Sequence, residues 1–479
     1  MSSNVNVAIS LSHPTISVDD EIQNSYYALL DIVPTQSDEQ ASPRPPINVV
    51  FVVDSSATMH RFNLTETEQE YWMSLALQRD DVVRGTADDR KAVYWTGQTL
   101  LEMETSVKKP MTVVAESLKI TLSTLRPTDS VSMIAFANKV ATVFTATDWK
   151  SDPDSCSAKI DAMRDQAIGK DIGNGTLLAD ALNRASELLG TFARLGSINR
   201  LVVLSDGIVQ DSADSMARVD EIQRTGYAIT TIGVGEEFDE EFLTRVADSS
   251  RGQYHYAADV AEVTSCLERE MSHLERTTIT DLYVAVRGVN GTFIQDIAAV
   301  RPAMAIFDEM FTQNEWTSAR IGDVSSSSPI TVLVQFLPVH SDLGSMAVAD
   351  VQLLWANAGD AFAQNKETKT VTIDAVFSSD PLDRFKENRK VVDVVDRYTV
   401  FKLEREAQRA KDRGDVASAK EKYGAATRKL TSMGEPELAG QIEKQIETLS
   451  TGVPDPAAEK RLKSNTRRLA VSVPRDLNS

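Results

Sequence analysis

A short polar segment, residues 54–58 (Asp-Ser-Ser-Ala-Thr), directly follows the mainly apolar run of residues 48–53. A continuous apolar run of this kind is typical of a strand that is buried on both faces of a sheet. Asp54, Ser56 and Thr58 alternate along the segment, so a loop that curls over the strand end brings their three oxygens to one point. One carboxylate and two hydroxyls form a hard-oxygen site that suits Mg²⁺ or Mn²⁺ and leaves coordination positions open.

The same residue types also serve as helix caps, because Ser and Asp side chains accept hydrogen bonds from free backbone N–H groups at a helix start. Two later segments favour the metal site over a plain cap. Residues 201–207 (Leu-Val-Val-Leu-Ser-Asp-Gly) read as a second buried strand that ends in an acid and a glycine. Residues 173–176 (Gly-Asn-Gly-Thr) form a glycine loop that ends in a hydroxyl, just before a helical pattern over residues 177–189.

In this order, the three motifs resemble the von Willebrand factor A (VWA) domain, and the resemblance covers about residues 47–274. It implies a metal-ion-dependent adhesion site. The hydroxyls of that site coordinate the metal directly, the two aspartates act partly through waters, and an acidic side chain of a partner protein completes the octahedron. Mg²⁺ is the expected ion, with Mn²⁺ or Ca²⁺ as substitutes. The positions that match the site are Asp54, Ser56, Thr58, Thr176 and Asp206.

The alternation of apolar runs and helical patterns after residue 47 predicts an α/β fold, with a doubly wound, mostly parallel sheet covered by helices on both faces. Ligand sites in such sheets lie beyond the carboxyl ends of the strands. Asp54 and Asp206 both occupy that edge, so the fold and the motif agree. Residues 60–110 depart from the VWA pattern and predict a largely helical insertion beside the metal loop. Its aromatic residues, Tyr71, Trp72, Tyr94 and Trp95, fit either a lid packed on the domain or a surface that selects partners.

Residues 1–46 and 275–378 carry β-rich runs separated by polar turns, which predicts an antiparallel β-sandwich built from both segments, with the VWA domain inserted in it. This arrangement resembles bacterial VWA-containing proteins of the Ca-activated chloride channel-like kind. Residues 380–450 predict a helical hairpin region, and residues 451–479 predict a flexible basic tail. The Arg-Gly-Asp tripeptide at 413–415 fits a glycine turn between two helices better than an adhesive motif.

Length and composition limit the class of protein. The chain has 479 residues, a formal net charge of -20 and a pI near 4.8. We therefore expect two to four domains, and neither nucleic acid nor an anionic membrane as the main partner. The chain has only two cysteines, Cys156 and Cys266, which form at most one disulfide bond, so the fold is not a disulfide scaffold. The sequence shows no secretory signal and no stretch of eighteen apolar residues, so we expect no membrane span, no channel activity and a cytoplasmic location.

Motifs for catalysis are lacking in the sequence. The histidines form no zinc-binding spacing, and there is no nucleophile elbow, phosphate-binding loop or dinucleotide fingerprint. His60 lies two residues beyond Thr58, where it either approaches the metal rim or serves the loop alone. We therefore predict that the protein is not an enzyme.

Three functions fit these observations. The first is a metal-dependent protein-binding module whose partner presents an Asp or Glu. The second is a structural subunit that self-associates while the metal only braces the fold, and the third is a regulatory adaptor of an AAA+ ATPase.

Overall fold

Two structural units make up the chain. One unit comprises Asn48–Ala193 and Asn199–Met271, and the other comprises Met1–Ile47, Arg194–Ile198 and Ser272–Ser479. The second unit thus contains the segments on both sides of the first in chain order. The computed structural model describes residues 4–18, 25–35, 44–62, 64, 66–87, 90–165, 172–194, 196–235, 238–257, 262–307, 311–339, 342–358, 366–451 and 456–469.

The strands in chain order are β1 (Asn4–Leu11), β2 (Thr15–Ser17), β3 (Tyr26–Thr35), β4 (Ile47–Asp54), β5 (Val82–Ala87), β6 (Arg90–Trp95), β7 (Ser130–Phe136), β8 (Val140–Phe144), β9 (Ile198–Ser205), β10 (Ala228–Val234), β11 (Tyr254–Ala257), β12 (Thr277–Gly288), β13 (Thr292–Arg301), β14 (Ala305–Ile306), β15 (Phe311–Gln313), β16 (Trp316–Ser325), β17 (Ile330–Pro338), β18 (Gly344–Asn357) and β19 (Glu367–Ser378). The helices are α1 (Glu66–Arg79), α2 (Gly97–Ser106), α3 (Pro110–Ser123), α4 (Ala146–Ser151), α5 (Pro153–Arg164), α6 (Ala179–Phe192), α7 (Ser212–Arg224), α8 (Glu240–Ser250), α9 (Glu262–Glu275), α10 (Arg389–Asp412), α11 (Val416–Ser432), α12 (Pro436–Thr451) and α13 (Pro456–Arg468).

The first unit is built on a six-stranded sheet with the order β11-β10-β9-β4-β7-β8. β4 pairs with β7 in parallel, as does β10 with β9 and β11, whereas β8 runs antiparallel to β7. Every residue of β4 is buried, which matches the continuous apolar run that predicted a strand covered on both faces. Apolar residues of β4, β7, β9 and β10 pack with α6, α7 and α8 in one core. The predicted α/β fold with a mostly parallel sheet is confirmed.

The insertion after the metal loop is only partly helical. In chain order α1 and α2 flank an antiparallel hairpin in which β5 pairs with β6, so the prediction of a largely helical insertion is wrong over these two strands. The reason is visible in the sequence, because β-branched and aromatic residues flank a short polar turn there, which is a hairpin pattern. Trp72 is buried and Tyr71 is 61% exposed, with their rings in a T-shaped contact. The side chain of Tyr94 lies outside the described residues.

The second unit contains two further sheets, with the orders β1-β3-β17-β13-β14 and β15-β16-β12-β18-β19-β2. Their pairings are antiparallel apart from the short parallel contact between β19 and β2. One hydrophobic core joins the inner faces, so the two sheets form a sandwich. β3, from the segment before the α/β unit, pairs with β17 from the segment after it. This pairing agrees with the prediction that residues 1–46 and 275–378 form one sandwich.

Helices α10 to α13 form the C-terminal region and pack on the five-stranded sheet through Leu29, Ala298 and Leu333. The sequence predicts a flexible basic tail over residues 451–479, but within this range the structure has α13. Leu462 is fully buried and Leu469 is 9% exposed, so the basic residues lie around an apolar stripe that anchors the helix. Residues 470–479 lie outside the described range. No helix among the described residues is long and apolar enough to cross a membrane.

The Arg-Gly-Asp tripeptide connects α10 to α11. Gly414 has a φ of 77°, and the Asp415 side chain accepts a hydrogen bond from the Ser418 backbone N–H at the start of α11. The glycine supplies a left-handed turn and the aspartate caps the next helix, which is the structural role expected from the sequence.

A buried carboxyl in the helical region predicts a specific pH dependence. Glu404 is 2% exposed, and burial raises its pKa to about 7 against the opposing effect of Lys463 and Arg405. The folded protein therefore binds this proton more tightly than the unfolded chain, so the stabilising contribution of Glu404 is fully present below about pH 4.5 and is lost as the pH rises to about 7. We expect the loss to reach about 3 kcal/mol.

The variant Glu404→Gln should remove this loss, because it carries no titrating proton. The measurement is the thermal-unfolding midpoint by circular dichroism between about pH 5 and pH 8. Glu447→Gln, at an exposed position of α12, is the control and should keep the wild-type slope. An unchanged slope in Glu404→Gln would contradict the assignment.

Candidate functional site

The five predicted site residues come from three loops at one edge of the parallel sheet. Asp54 ends β4, and its partner in the register is Phe136, the last residue of β7. Asp206 follows Ser205, the last residue of β9. Thr176 lies in the loop that precedes α6. Because the strands run in parallel, their carboxyl ends meet at this edge.

Asp54 is the innermost of these residues, with none of its surface exposed. Its Oδ1 accepts a hydrogen bond from the Ser56 backbone N–H at 2.8 Å, and its Oδ2 accepts one from the Ser205 hydroxyl at 2.6 Å. These two bonds fix the carboxylate across the ends of β4 and β9. The Asp54 side chain thus connects two strands that are far apart in the chain.

Two hydroxyls join Asp54's own loop to the loop after β9. The Oγ of Ser56 lies 3.0 Å from the Oγ1 of Thr58, and the Thr58 hydroxyl donates to Oδ1 of Asp206 at 2.7 Å. Ser56 and Asp206 are almost fully buried, whereas Thr58 is partly exposed. The D-x-S-x-T segment and the second aspartate therefore form one hydrogen-bonded group.

Thr176 joins the group at Gly207. A Cβ placed on Gly207 would lie 2.9 Å from the Oγ1 of Thr176 and 3.5 Å from Oδ2 of Asp54, so the two oxygens face the same side of this glycine. The backbone carbonyl of Thr176 accepts from the N–H of Gln210 at 2.9 Å. The structure thus brings all five predicted residues together, and their role as metal ligands stays a prediction.

The electrostatics of the group favour a cation. Burial raises the pKa of Asp54, while the hydrogen bonds from Ser205 and Ser56 lower it. No described Lys, Arg or His forms an ion pair with Asp54. The group offers two carboxylates and three hydroxyls, so their formal charge would balance one divalent ion. Among the described residues there is no cluster of three or more His, Cys, Asp or Glu side chains arranged for a metal.

His60 lies beside the group but contacts a different residue. Its Nε2 is 3.2 Å from the Oγ of Ser55, and burial, together with the nearby charge of Lys109, lowers its pKa. The described contact therefore places it in support of the loop, which was one of the two roles expected.

Three supporting residues were missed by the sequence reasoning. Ser205 lies inside the strand motif, where the sequence pattern alone assigns it no role. Asn138 accepts hydrogen bonds from the N–H groups of Asn174 and Gly175, both at 2.8 Å, and so holds the glycine loop. Asp211 accepts from the N–H groups at positions 178 and 179, both at 2.9 Å, and caps α6 from 32 and 33 residues away. A local sequence pattern does not predict such a distant cap. The position of Ser205 at the end of a buried strand, in contrast, does predict that it lies at the same sheet edge as Asp54.

Comparison with known families gives two matches. Residues 101–269 match the von Willebrand factor type A domain, and residues 389–472 match the Sll0103-like C-terminal alpha-helical domain. The chain therefore contains a VWA domain and a C-terminal helical region. Thr176 and Asp206 lie inside the matched range. Asp54, Ser56 and Thr58 precede it, on the far side of the insertion.

Individual proteins support the same fold. The uncharacterized protein YfbK of Escherichia coli K12 is 26% identical over 177 residues, which is 36% of this chain and 29% of that protein. A von Willebrand factor type A structure from Catenulispora acidiphila aligns with a TM-score of 0.68 at 15% identity, covering 98% of this chain and 97% of the other. The ArnB paralog VWA2 from Sulfolobus acidocaldarius aligns with a TM-score of 0.50 at 14% identity, covering 98% and 100%.

Gly207 allows a direct test of the group's geometry. In Gly207→Ala the new methyl group would lie 2.9 Å from the Thr176 hydroxyl, closer than Cβ atoms normally come, so the hydroxyl has to move. We expect Mg²⁺ affinity, measured by isothermal titration calorimetry, to fall at least about tenfold. Far-ultraviolet circular dichroism should stay unchanged.

The matched control is Gly190→Ala in α6, where the added Cβ would lie 3.7 Å from the nearest atom, the Tyr227 hydroxyl oxygen. It should bind Mg²⁺ as the wild type does. Equal affinity in both variants would show that Thr176 does not contribute to the site.

Proposed function

We propose that this VWA domain protein is a Mg²⁺-dependent protein-interaction module. Asp54, Ser56, Thr58, Thr176 and Asp206 hold the ion, and an Asp or Glu side chain of a partner protein completes its coordination shell. Mn²⁺ or Ca²⁺ substitutes for Mg²⁺. The cytoplasmic location expected from the sequence stays a prediction.

One observation carries this proposal, namely the hydrogen-bonded convergence of oxygens from distant segments. Thr58 donates to Asp206 across 148 residues of sequence, and Ser205 donates to Asp54 across 151. A helix cap joins a side chain to backbone N–H groups, as Asp239 does locally in α8 and Asp211 does from a distance in α6, whereas these two bonds join side chains to each other. The long-range convergence therefore supports a shared ligand for the three loops.

The donor set also favours binding over turnover. Hydroxyls and carboxylates are hard ligands that suit Mg²⁺, and five side chains leave one position of its octahedral shell for an oxygen of a partner. When bound, such an ion attracts an incoming carboxylate. Ser205, Thr58 and Ser56 hydrogen-bond to the two aspartates, and hydroxyls that support a carboxylate in this way do not act as general bases. We therefore propose a binding site and no catalytic role.

Metal binding should stabilise the fold through Asp54. At a Mg²⁺ concentration of about 100 times the dissociation constant, the wild type gains about 2.7 kcal/mol. In Asp54→Asn this gain should disappear, because the amide is a weaker ligand and the charge is lost. Without Mg²⁺ the variant should be at least as stable as the wild type, since a buried neutral amide needs no counter-charge.

The measurement is the melting temperature with Mg²⁺ and with EDTA. Asp180→Asn, an exposed aspartate of α6, serves as the control and should keep the full shift. If Mg²⁺ raised the melting temperature of Asp54→Asn as much as that of the wild type, the ion would bind elsewhere.

Partner capture tests the second half of the proposal. The full chain is immobilised in Mg²⁺, exposed to a lysate and eluted with EDTA, and the eluted proteins are identified. We expect a protein whose capture is lost with Asp206→Ala and with Asp54→Ala, because each variant removes a carboxylate from the site.

The contacting acid of that partner, changed to Asn or Gln, should abolish capture. The control is again Asp180→Asn, which leaves the site intact. A partner that stays bound through the EDTA wash, or that binds equally after its own acid is replaced, would contradict the proposed contact.

A further inference from the structure

Exposed apolar side chains occur in several parts of the described chain, and the three most exposed large ones lie at two places. Among the described residues, the three most exposed large hydrophobic side chains are Phe385 at 67%, Ile208 at 66% and Leu382 at 66%. Ile208 follows Asp206 and Gly207 in the loop after β9, so it lies at the rim of the candidate metal site. Leu382 and Phe385 lie in the 3-10 turn Pro381–Phe385, which follows β19 in the other unit.

That turn begins with an exposed acid. Asp380 is the N-cap of the turn, and its Oδ1 accepts a hydrogen bond from the Leu382 backbone N–H at 2.9 Å. The Asp380 N–H in turn donates to the Ser378 hydroxyl at 3.0 Å. These bonds fix the direction of the carboxylate. Its second oxygen, Oδ2, accepts no hydrogen bond from the described residues.

The two places are chemically complementary. The metal rim requires a carboxylate and presents an isoleucine beside it. The turn offers a carboxylate with a leucine two residues further on. A contact that joins them would complete the metal shell and remove the exposed apolar side chains from water at the same time.

We propose that the partner carboxylate comes from a second copy of this chain. Asp380 of one molecule coordinates the metal held by Asp54, Ser56, Thr58, Thr176 and Asp206 of another, and Leu382 packs against Ile208. This inference rests on the proposed metal site and names its partner. Because different surfaces of identical molecules meet, the contact is head-to-tail and produces rings or filaments.

Charge makes this assembly dependent on the metal. Each molecule carries a formal net charge of -20, so two copies repel each other in the absence of a bound cation. A divalent ion between Asp380 and the two site aspartates removes the repulsion at the point of contact. Chelation should therefore dissociate the assembly.

The test is sedimentation velocity of the full chain over a range of protein concentrations, in Mg²⁺ and in EDTA. In Mg²⁺ we expect species larger than the monomer that grow with concentration, and in EDTA only monomer. Asp380→Asn and Ile208→Ser should each weaken association at least about tenfold, the first through the lost charge and the second through the lost apolar contact.

Matched controls are available on the same chain. Asp374→Asn replaces another exposed aspartate, on β19, and Ile120→Ser replaces another exposed isoleucine, on α3, which is 52% exposed. Both controls should associate as the wild type does. If a control weakened association as much as its test variant, the contact would lie elsewhere.

Mixing two variants tests the direction of the contact. Asp380→Asn keeps the metal rim and Ile208→Ser keeps the turn, so an equimolar mixture should form one-to-one dimers that do not grow further. Larger species in the mixture would contradict the head-to-tail arrangement.

Failure of this inference is distinguishable from failure of the proposed site. Calorimetric Mg²⁺ binding to dilute monomer tests the site alone. Bound Mg²⁺ together with a monomer at every concentration would overturn self-association and leave the metal site in place. Association that persists in EDTA, or at full strength in Asp380→Asn, would overturn it as well. Absence of Mg²⁺ binding would overturn both.

Discussion

The structure of the site depends on one buried carboxylate. Asp54 lies at the end of the central strand with no exposed surface, and removing such a charge from water costs several kcal/mol. The Ser56 N–H and the Ser205 hydroxyl offset part of this cost. The remaining negative charge, beside the second aspartate, is what a divalent ion would neutralise.

The fold explains why the supporting residues are distributed as they are. Parallel strands deliver their carboxyl ends to one edge, so β4 and β9 place Asp54 and Ser205 within 2.6 Å although 151 residues separate them. Gly207 keeps the space between Thr176 and Asp54 free of any side chain. Asp211 and Asn138 hold the loop that carries Thr176. Each loop is therefore tied to the sheet before any ligand binds, which lowers the cost of ordering the site.

The sequence was sufficient for the parts that follow from regular patterns. At both β4 and β9 an apolar run ends in an acid. Because the carboxyl ends of parallel strands lie at the same edge of a sheet, this pattern predicts that both aspartates lie at that edge. The sequence was insufficient where long-range contacts decide. Asp211 caps α6 although the two are distant in the chain, and no local pattern predicts this contact. The burial of Leu462 anchors α13, but the many basic residues of this segment favour the prediction of a flexible tail. The β-branched and aromatic residues of β5 and β6 indicate a hairpin, but the many charged residues around them favour the prediction of exposed helices.

Anomalous diffraction from crystals grown with Mn²⁺ tests the central claim most directly, because it locates the ion without reference to function. One anomalous peak is predicted among the oxygens of Asp54, Ser56, Thr58, Thr176 and Asp206, with the aspartates reached directly or through water. A fully ordered site without a peak, or a peak that these side chains do not surround, would contradict the account.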